Sequence, residues 1–291
     1  MNNIDFNNWK CRCSAISQLL TNDSDNKPIT EKQLDKLKEL QDKEKRTPKQ
    51  QEELDELLAK KSNSNVITFG LTAIKYLMAE YSYITTGKIA VDKEFMTLFQ
   101  MEKGNEEELE SIATLCIADG VIYTPNDPKE RRSNEYLTGE IDAYLGEDMD
   151  NVEELPDIKS IWDYPTFLSK EHEKLSLSND WQVKGYMDIF KAKKGFIADV
   201  LVDTPHHIVE EIKWKLLKKT KEATEESPRF KKLWAEIEKS LHFSDIHPKL
   251  RVNKKYVTPM TQFEQQRLYD KVKAARDFLN NYHEKRIELI N

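Results

Sequence analysis

Three short runs in the middle of the chain, Tyr136 to Leu145, Leu155 to Trp162 and Gly195 to Asp203, constrain the fold more than any other feature. Runs of this length, rich in branched apolar residues and bounded by Gly or Pro, read as strands. The first alternates apolar and polar residues, with Gly139 permitting close backbone approach before Asp142. In the second, Asp157 and Lys159 lie two apart and therefore project from one face of a strand. The third places Phe196, Ile197, Val200, Leu201 and Val202 ahead of Pro205. Between the second and third runs, Gln182 and Tyr186 are four apart and share one face of a helix. The expectation is an α/β chain with a central mixed sheet flanked by helices.

The strands carry acids where apolar residues would pack better. Two carboxylates in a partly buried place repel each other unless a proton or a cation separates them. If the first two strands pair, Asp142 comes near Asp157. That makes a hard oxygen-ligand site suited to Mg²⁺, with Mn²⁺ as substitute, to which the Ile158 carbonyl adds a further ligand.

These residues resemble the PD-(D/E)xK nucleases, in particular the branch holding RecB-type domains, lambda exonuclease and the YqaJ-like phage recombination exonucleases. That branch has a Gly-x-x-Asp strand, an Asp-x-Lys strand and a helix with Gln-x-x-x-Tyr. They are matched in order and spacing by Gly139 with Asp142, Asp157 with Lys159, and Gln182 with Tyr186. An upstream Gly-x-x-x-Glu helix is matched by Gly104 and Glu108, although Glu106, Glu107 and Glu110 crowd the same stretch. The resemblance covers Phe95 to Pro205 and extends to Cys11 to Leu20, where Ser14 precedes an apolar helix. It implies a restriction-endonuclease-like core, with Glu108, Asp142 and Asp157 as metal ligands. Lys159 would be the water-activating or charge-stabilising group, and Gln182 and Tyr186 would buttress the site and touch DNA. It also implies a metal-dependent deoxyribonuclease, foremost an exonuclease on duplex ends in phage-type recombination or repair, with a single-strand annealing protein as partner and a homo-oligomer as assembly. A structure- or site-selective endonuclease, and a catalytically silent DNA-binding or assembly protein on the same fold, remain as alternatives.

The net charge of −7 argues against DNA binding only until its distribution is considered. From Glu102 to Glu154 there are 16 acids against 4 basic residues, and from Lys184 to Lys255 there are 17 basic residues against 11 acids. Carboxylates that hold cations followed by a segment that grips phosphates give this asymmetry. Lys213, Lys215, Lys218, Lys219 and Lys221, interleaved with Trp214, are the candidate DNA contacts, with an ordinary solvated helix face as the competing reading.

Three cysteines, Cys11, Cys13 and Cys116, support neither a disulfide framework nor a zinc site. The iron and sulfur cluster of some relatives of this fold is excluded for want of ligands. His206 and His207 read as surface or local packing residues rather than metal ligands. No apolar run approaches the ~20 residues that cross a bilayer, and the start lacks the features of a secretory signal, so no membrane partner is expected. The expected compartment is the cytoplasm of a bacterial or phage-infected cell.

Ahead of the core, Thr30 with Gln33 and Thr47 with Gln50 fit capping boxes. With Leu34, Leu37, Leu40, Leu54, Leu57 and Leu58 they predict a helical hairpin over residues 28–61, a projecting arm. The expected divisions are an N-terminal helix of the core in 1–27, the hairpin, a nuclease core in 62–205, and a basic segment with C-terminal helices in 206–291. Val66 to Tyr83 is expected as one helix, and Ile112 to Ile117 as the continuation of the helix carrying Glu108. Phe263, Leu268, Val272, Ala275, Phe278 and Leu279 predict a helix in the tail from Thr258.

Overall fold

The structure is a computed structural model and describes residues 4–22, 29–64, 67–89, 98–220 and 224–289. Strands are β1 (Cys11–Arg12), β2 (Thr124–Pro125), β3 (Arg132–Ser133), β4 (Leu137–Gly139), β5 (Ala143–Gly146), β6 (Val152–Ile161), β7 (Lys194–Leu201) and β8 (Val252–Val257). The α-helices are α1 (Ile16–Leu19), α2 (Glu31–Asp42), α3 (Pro48–Ser64), α4 (Leu71–Thr86), α5 (Leu98–Glu106), α6 (Glu108–Asp119), α7 (Tyr164–His172), α8 (Leu177–Phe190), α9 (His206–Thr220), α10 (Pro228–Lys239) and α11 (Gln262–Glu288). They fall into two compact units: Met1–Ala90 with Ser133–Thr138 and Met260–Asn291, and Val91–Arg132 with Gly139–Pro259.

In the first unit the hairpin forms as its caps require. Thr30 and Thr47 each accept from the backbone of Gln33 and Gln50, whose side chains return the bond. Leu37, Leu40, Leu54 and Leu57 share a small core with Ile29, while Leu58, expected inward, is exposed. Helix α4 begins at Leu71, later than the sequence suggested, because Gly70 is its N-cap; Val66 lies outside the described residues. A Cβ on Gly70 would stand 2.5 Å from the Asn22 carbonyl oxygen, so only glycine fits there. The tail is helical as expected, and α11 buries Leu268, Val272, Ala275 and Leu279.

The second unit is built on a five-stranded sheet in the order β2, β5, β6, β7, β8. Only β6 and β7 run parallel, joined by a crossover that contains α7 and α8. The antiparallel pairs are β2 with β5, β5 with β6 and β7 with β8. The strand period of two divides the sheet residues between faces. Ile158, Phe196, Ala198 and Val200 pack with Ile112 and Leu115 of α6. Fully burying an Ile or Leu contributes about 1.5–3 kcal/mol, so these two residues are enough to hold the N-terminus of α6 at the sheet. Asp157, Lys159, Ile197 and Asp199 alternate with that set. In the parallel register Asp157 faces Ile197 and Lys159 faces Asp199.

Helix α8 is set against β7 at Gly195, where an added Cβ would come within 2.6 Å of Val183 Cγ1 and 2.9 Å of Met187 Sδ. Its start is capped by the Ser176 hydroxyl, which accepts from the Asn179 backbone, a contact worth about 1 kcal/mol. Cap and glycine together fix the height of Gln182 and Tyr186 over the sheet.

The run read as one strand from Tyr136 to Leu145 is two. β4 joins a three-stranded sheet with β1 and β3, β5 joins the five-stranded sheet, and Glu140, Ile141 and Asp142 link them. Likewise the helix expected to carry both Gly104 and Glu108 is broken. α5 ends at Glu106 and α6 starts at Glu108, with Glu107 between them at φ −94° and ψ 15°.

Candidate active site

The three groups that the sequence placed in one space are adjacent. Asp157 is 2 % exposed in the middle of β6, and its Oδ2 stands 2.7 Å from the Lys159 ammonium. Asp142 arrives from the link ahead of β5, and its Oδ2 accepts the Ile158 backbone N–H at 2.7 Å, which ties it to the residue following Asp157. The link itself is held by Asn126, which is 5 % exposed. Its backbone N–H donates to the Asp142 carbonyl at 2.9 Å and its side-chain amide to the Ile141 carbonyl at 2.9 Å.

The electrostatics follow from burial. The Asp142 pKa is pushed up to about 7, first by desolvation and then by the charge of Asp157. Asp157 is also raised, by burial above all, with the Lys159 charge opposing. Burial alone would lower the Lys159 pKa, but Asp157 outweighs it and the ammonium is held more firmly. Asp157 Oδ2 is buried and takes a charge-assisted hydrogen bond from the Lys159 ammonium at 2.7 Å. Two buried acids of raised pKa, offset by a single ammonium, make a donor arrangement that a hard divalent cation satisfies.

Gln182 and Tyr186 sit as their spacing predicted. The Gln182 amide donates to Asp157 Oδ1 at 2.9 Å and to the Tyr186 hydroxyl at 3.0 Å. Gln182 thereby fixes the outer oxygen of Asp157 and leaves Oδ2 facing Lys159.

Glu108 is placed differently from the two aspartates. It is the first residue of α6, where the helix dipole favours an acid, and its carboxylate is held by Lys129 Nζ at 2.5 Å. Among the described residues, the one set of three or more acidic, His or Cys ligands whose donor atoms all lie within 4.8 Å of one another is Glu102, Glu106 and His207. There the exposed His207 ring stands with Nε2 3.0 Å from Glu102 and Nδ1 3.5 Å from Glu106. Just ahead of Glu108, α5 is anchored by Lys103, 1 % exposed, whose ammonium donates to the Trp162 carbonyl at 3.4 Å and to Thr204 Oγ1 at 3.3 Å. Burial pushes that ammonium down to about 8.

Nothing in the sequence around Lys129 points to its place beside Glu108, whereas Asp199 stands out as an acid inside the apolar run of β7. Asp199 is 4 % exposed and accepts from Lys255 Nζ of β8 at 2.8 Å, one strand away from the Asp157 and Lys159 pair. Four of the five candidate DNA-contact lysines lie on α9 and differ in their partners. Lys213 pairs with Glu225 at 2.6 Å and Lys215 with Glu211 at 3.0 Å. Lys218 lies over the Trp214 ring at 3.4 Å, Lys219 is exposed, and Lys221 lies outside the described residues. Cys11, Cys13 and Cys116 are free thiols, and burial pushes Cys11 up to about 12, so it is no nucleophile. No described helix is long and apolar enough to cross a membrane.

The architecture is that of a known structural class: its neighbours are exonucleases with a restriction-endonuclease-like fold. Two proteins among the matches are a phage related and an alkaline exonuclease. A phage related exonuclease from Haemophilus somnus 129PT superposes with a TM-score of 0.58 at 18 % identity, over 96 % of each chain. An alkaline exonuclease from Laribacter hongkongensis gives 0.52 at 9 % identity, over 98 % of this chain and 96 % of its own. The same enzyme in complex with dAMP gives 0.50 at 10 % identity, over 97 % and 95 %. At such identities the likeness establishes the fold. No family model matches the chain, and no curated protein matches it in sequence.

Proposed function

We propose that this chain is a metal-dependent deoxyribonuclease, an exonuclease acting on the ends of duplex DNA. The observation that carries the reading is the meeting of Asp142, Asp157 and Lys159, in which two buried acids of raised pKa share one ammonium. The neighbours in fold are exonucleases over nearly the full chain, one of them in complex with dAMP, which supports the choice of a nucleic-acid substrate.

Asp142 and Asp157, with the Ile158 carbonyl and Glu108, are the residues to hold Mg²⁺ or, in its place, Mn²⁺. A cation held there supplies Lewis acidity toward a phosphate oxygen and a bound water of lowered pKa. The protein's own part is electrostatic and positional. Lys159 places a fixed positive charge where negative charge develops on the phosphate. Gln182 and Tyr186 keep Asp157 oriented. Glu108 joins the metal only by exchanging Lys129 for it, and an ion pair of partly exposed side chains costs little to break. Among the described residues, Lys218 and Lys219 are the α9 lysines without a carboxylate partner, and they are the first to offer for backbone contact. A role in recombination, an annealing protein as partner and a homo-oligomeric assembly belong to the same proposal.

Incubation with Mg²⁺ and two substrates tests the reading. Linear duplex is expected to be degraded while covalently closed circular DNA survives. Cutting of both forms would make the chain an endonuclease. Cutting of neither, in Mg²⁺ and in Mn²⁺ alike, would leave only a DNA-binding or assembly role.

A further inference from the structure

We propose that a second phosphate subsite lies one strand from the candidate hydrolytic site: the pocket lined by Lys170, Lys174 and Lys255 takes the phosphodiester adjacent to the one being cut, on the same DNA strand. The inference rests on the nuclease reading and extends it to how the substrate strand is held.

The pocket is a partly open cavity of about 100 Å³ whose lining includes those three lysines with Ser176, Asn179, Glu173 and Asp199. It is large enough to admit a phosphate group. Its floor is Ile197 and Asp199 of β7, the register partners of Asp157 and Lys159 on β6. Register partners on neighbouring parallel strands project from the same face, and strands stand about 4.8 Å apart. Successive phosphates of one B-DNA strand rise about 3.4 Å along the helix axis. Through space those phosphates stand further apart than the axial rise, and a strand with one phosphate at Asp142 and Asp157 has its neighbouring phosphate within reach of a pocket one β-strand away.

The charges suit that occupant. Lys255 is fixed by the buried Asp199 at 2.8 Å, so its ammonium is held at the pocket floor. Lys170 pairs with Glu173 at 2.7 Å, but the pair is exposed, with side chains 34 % and 52 % accessible. Such a pair contributes about 0–1 kcal/mol and is readily exchanged for a phosphate. Lys174 has no hydrogen bond or ion pair among the described residues. Three ammonium groups thus stand against two carboxylates, and a phosphodiester supplies the missing negative charge.

The test compares wild type with the Lys170→Ala/Lys174→Ala double variant on oligonucleotide duplexes, one of which carries a neutral methylphosphonate at the linkage flanking the scissile bond. The double variant is expected to raise KM roughly tenfold with kcat within about twofold, and to flatten the dependence of log KM on log salt by about 1 to 2 units. The neutral linkage should raise KM for wild type and leave the double variant unmoved, and Lys170→Arg/Lys174→Arg should restore the wild-type values. A double variant with wild-type KM and salt slope overturns the subsite, and so does a neutral-linkage penalty that persists in it. Failure of wild type to cut any DNA strikes the nuclease reading instead. The subsite is then read from fluorescence anisotropy of the same duplexes, where equal affinity of wild type and double variant for the charged duplex would refute it.

Discussion

Lys159→Ala is expected to slow phosphodiester cleavage by about 10²–10³-fold, the cost of removing one preorganised charge from a transition state, while leaving the Kd for duplex DNA within about threefold. The reason is local. The Lys159 side chain is 37 % accessible, but its ammonium is fixed 2.7 Å from a carboxylate that is 2 % exposed, so its charge is held in place at a partly desolvated site. It is a single positive charge among the 45 Lys and Arg of the chain, so its share of DNA affinity is small while its share of the chemistry is large. Asp157→Asn should lose at least as much rate, because it removes a metal donor and the partner of Lys159 together. Single-turnover cleavage of a labelled duplex, set beside anisotropy binding in Ca²⁺, measures both quantities. Retention of more than about a tenth of the wild-type rate in either variant, or a loss of binding that parallels the loss of rate, would count against the assignment.

Divalent cation is expected to stabilise the protein in a strongly pH-dependent way. The folded pKa of Asp142 stands at about 7, above the 3.8 of an unperturbed aspartate. Between those values the folded chain holds a proton that the unfolded chain has lost. The contribution of Asp142 to stability in the absence of metal is therefore greatest at low pH and declines as the pH rises through this window. A cation that binds only the ionised carboxylate competes with that proton and reverses the loss. At a cation concentration of 100 times Kd the gain is about 2.7 kcal/mol, which for a chain of 291 residues raises Tm by roughly 4–5 °C. A rise of that order is expected from Mg²⁺ or Mn²⁺ at pH 8, and less than about 2 °C at pH 5.5, where the proton wins. Asp142→Asn relieves the repulsion with Asp157 and loses the ligand together. It should melt no lower than metal-free wild type at pH 8 and gain nothing from the cation. Calorimetry at the two pH values reads these quantities, and equal shifts at both, or a full shift in Asp142→Asn, would contradict the account.

The legible parts of this fold share a property. β7 is a near-continuous apolar run buried on both faces, and β6 is buried from Leu155 to Ile158, so the acids Asp199 and Asp157 inside them are conspicuous. The Gln182 and Tyr186 pair was legible because helical spacing and a capped start are local facts. The break between β4 and β5 was hidden for a physical reason. Leu137, Gly139, Ile141 and Ala143 keep turning inward across it, so the period of two survives while the hydrogen-bonding partners change. Alternation reports burial, not which strand lies alongside. The late start of α4 depends on how closely Gly70 approaches Asn22, and the exposure of Leu58 on how the hairpin closes; neither is written in the residues themselves. The pairs of Lys129 with Glu108 and of Lys255 with Asp199 join residues 21 and 56 positions apart, and only the folded chain brings them together.

The most direct test of the whole account is an anomalous difference map from crystals grown in Mn²⁺. The account predicts a peak about 2.0–2.2 Å from carboxylate oxygens of Asp142 and Asp157 and from the Ile158 carbonyl, with the Lys159 ammonium alongside. A map with no peak there, or with manganese held only by Glu102, Glu106 and His207, would contradict it.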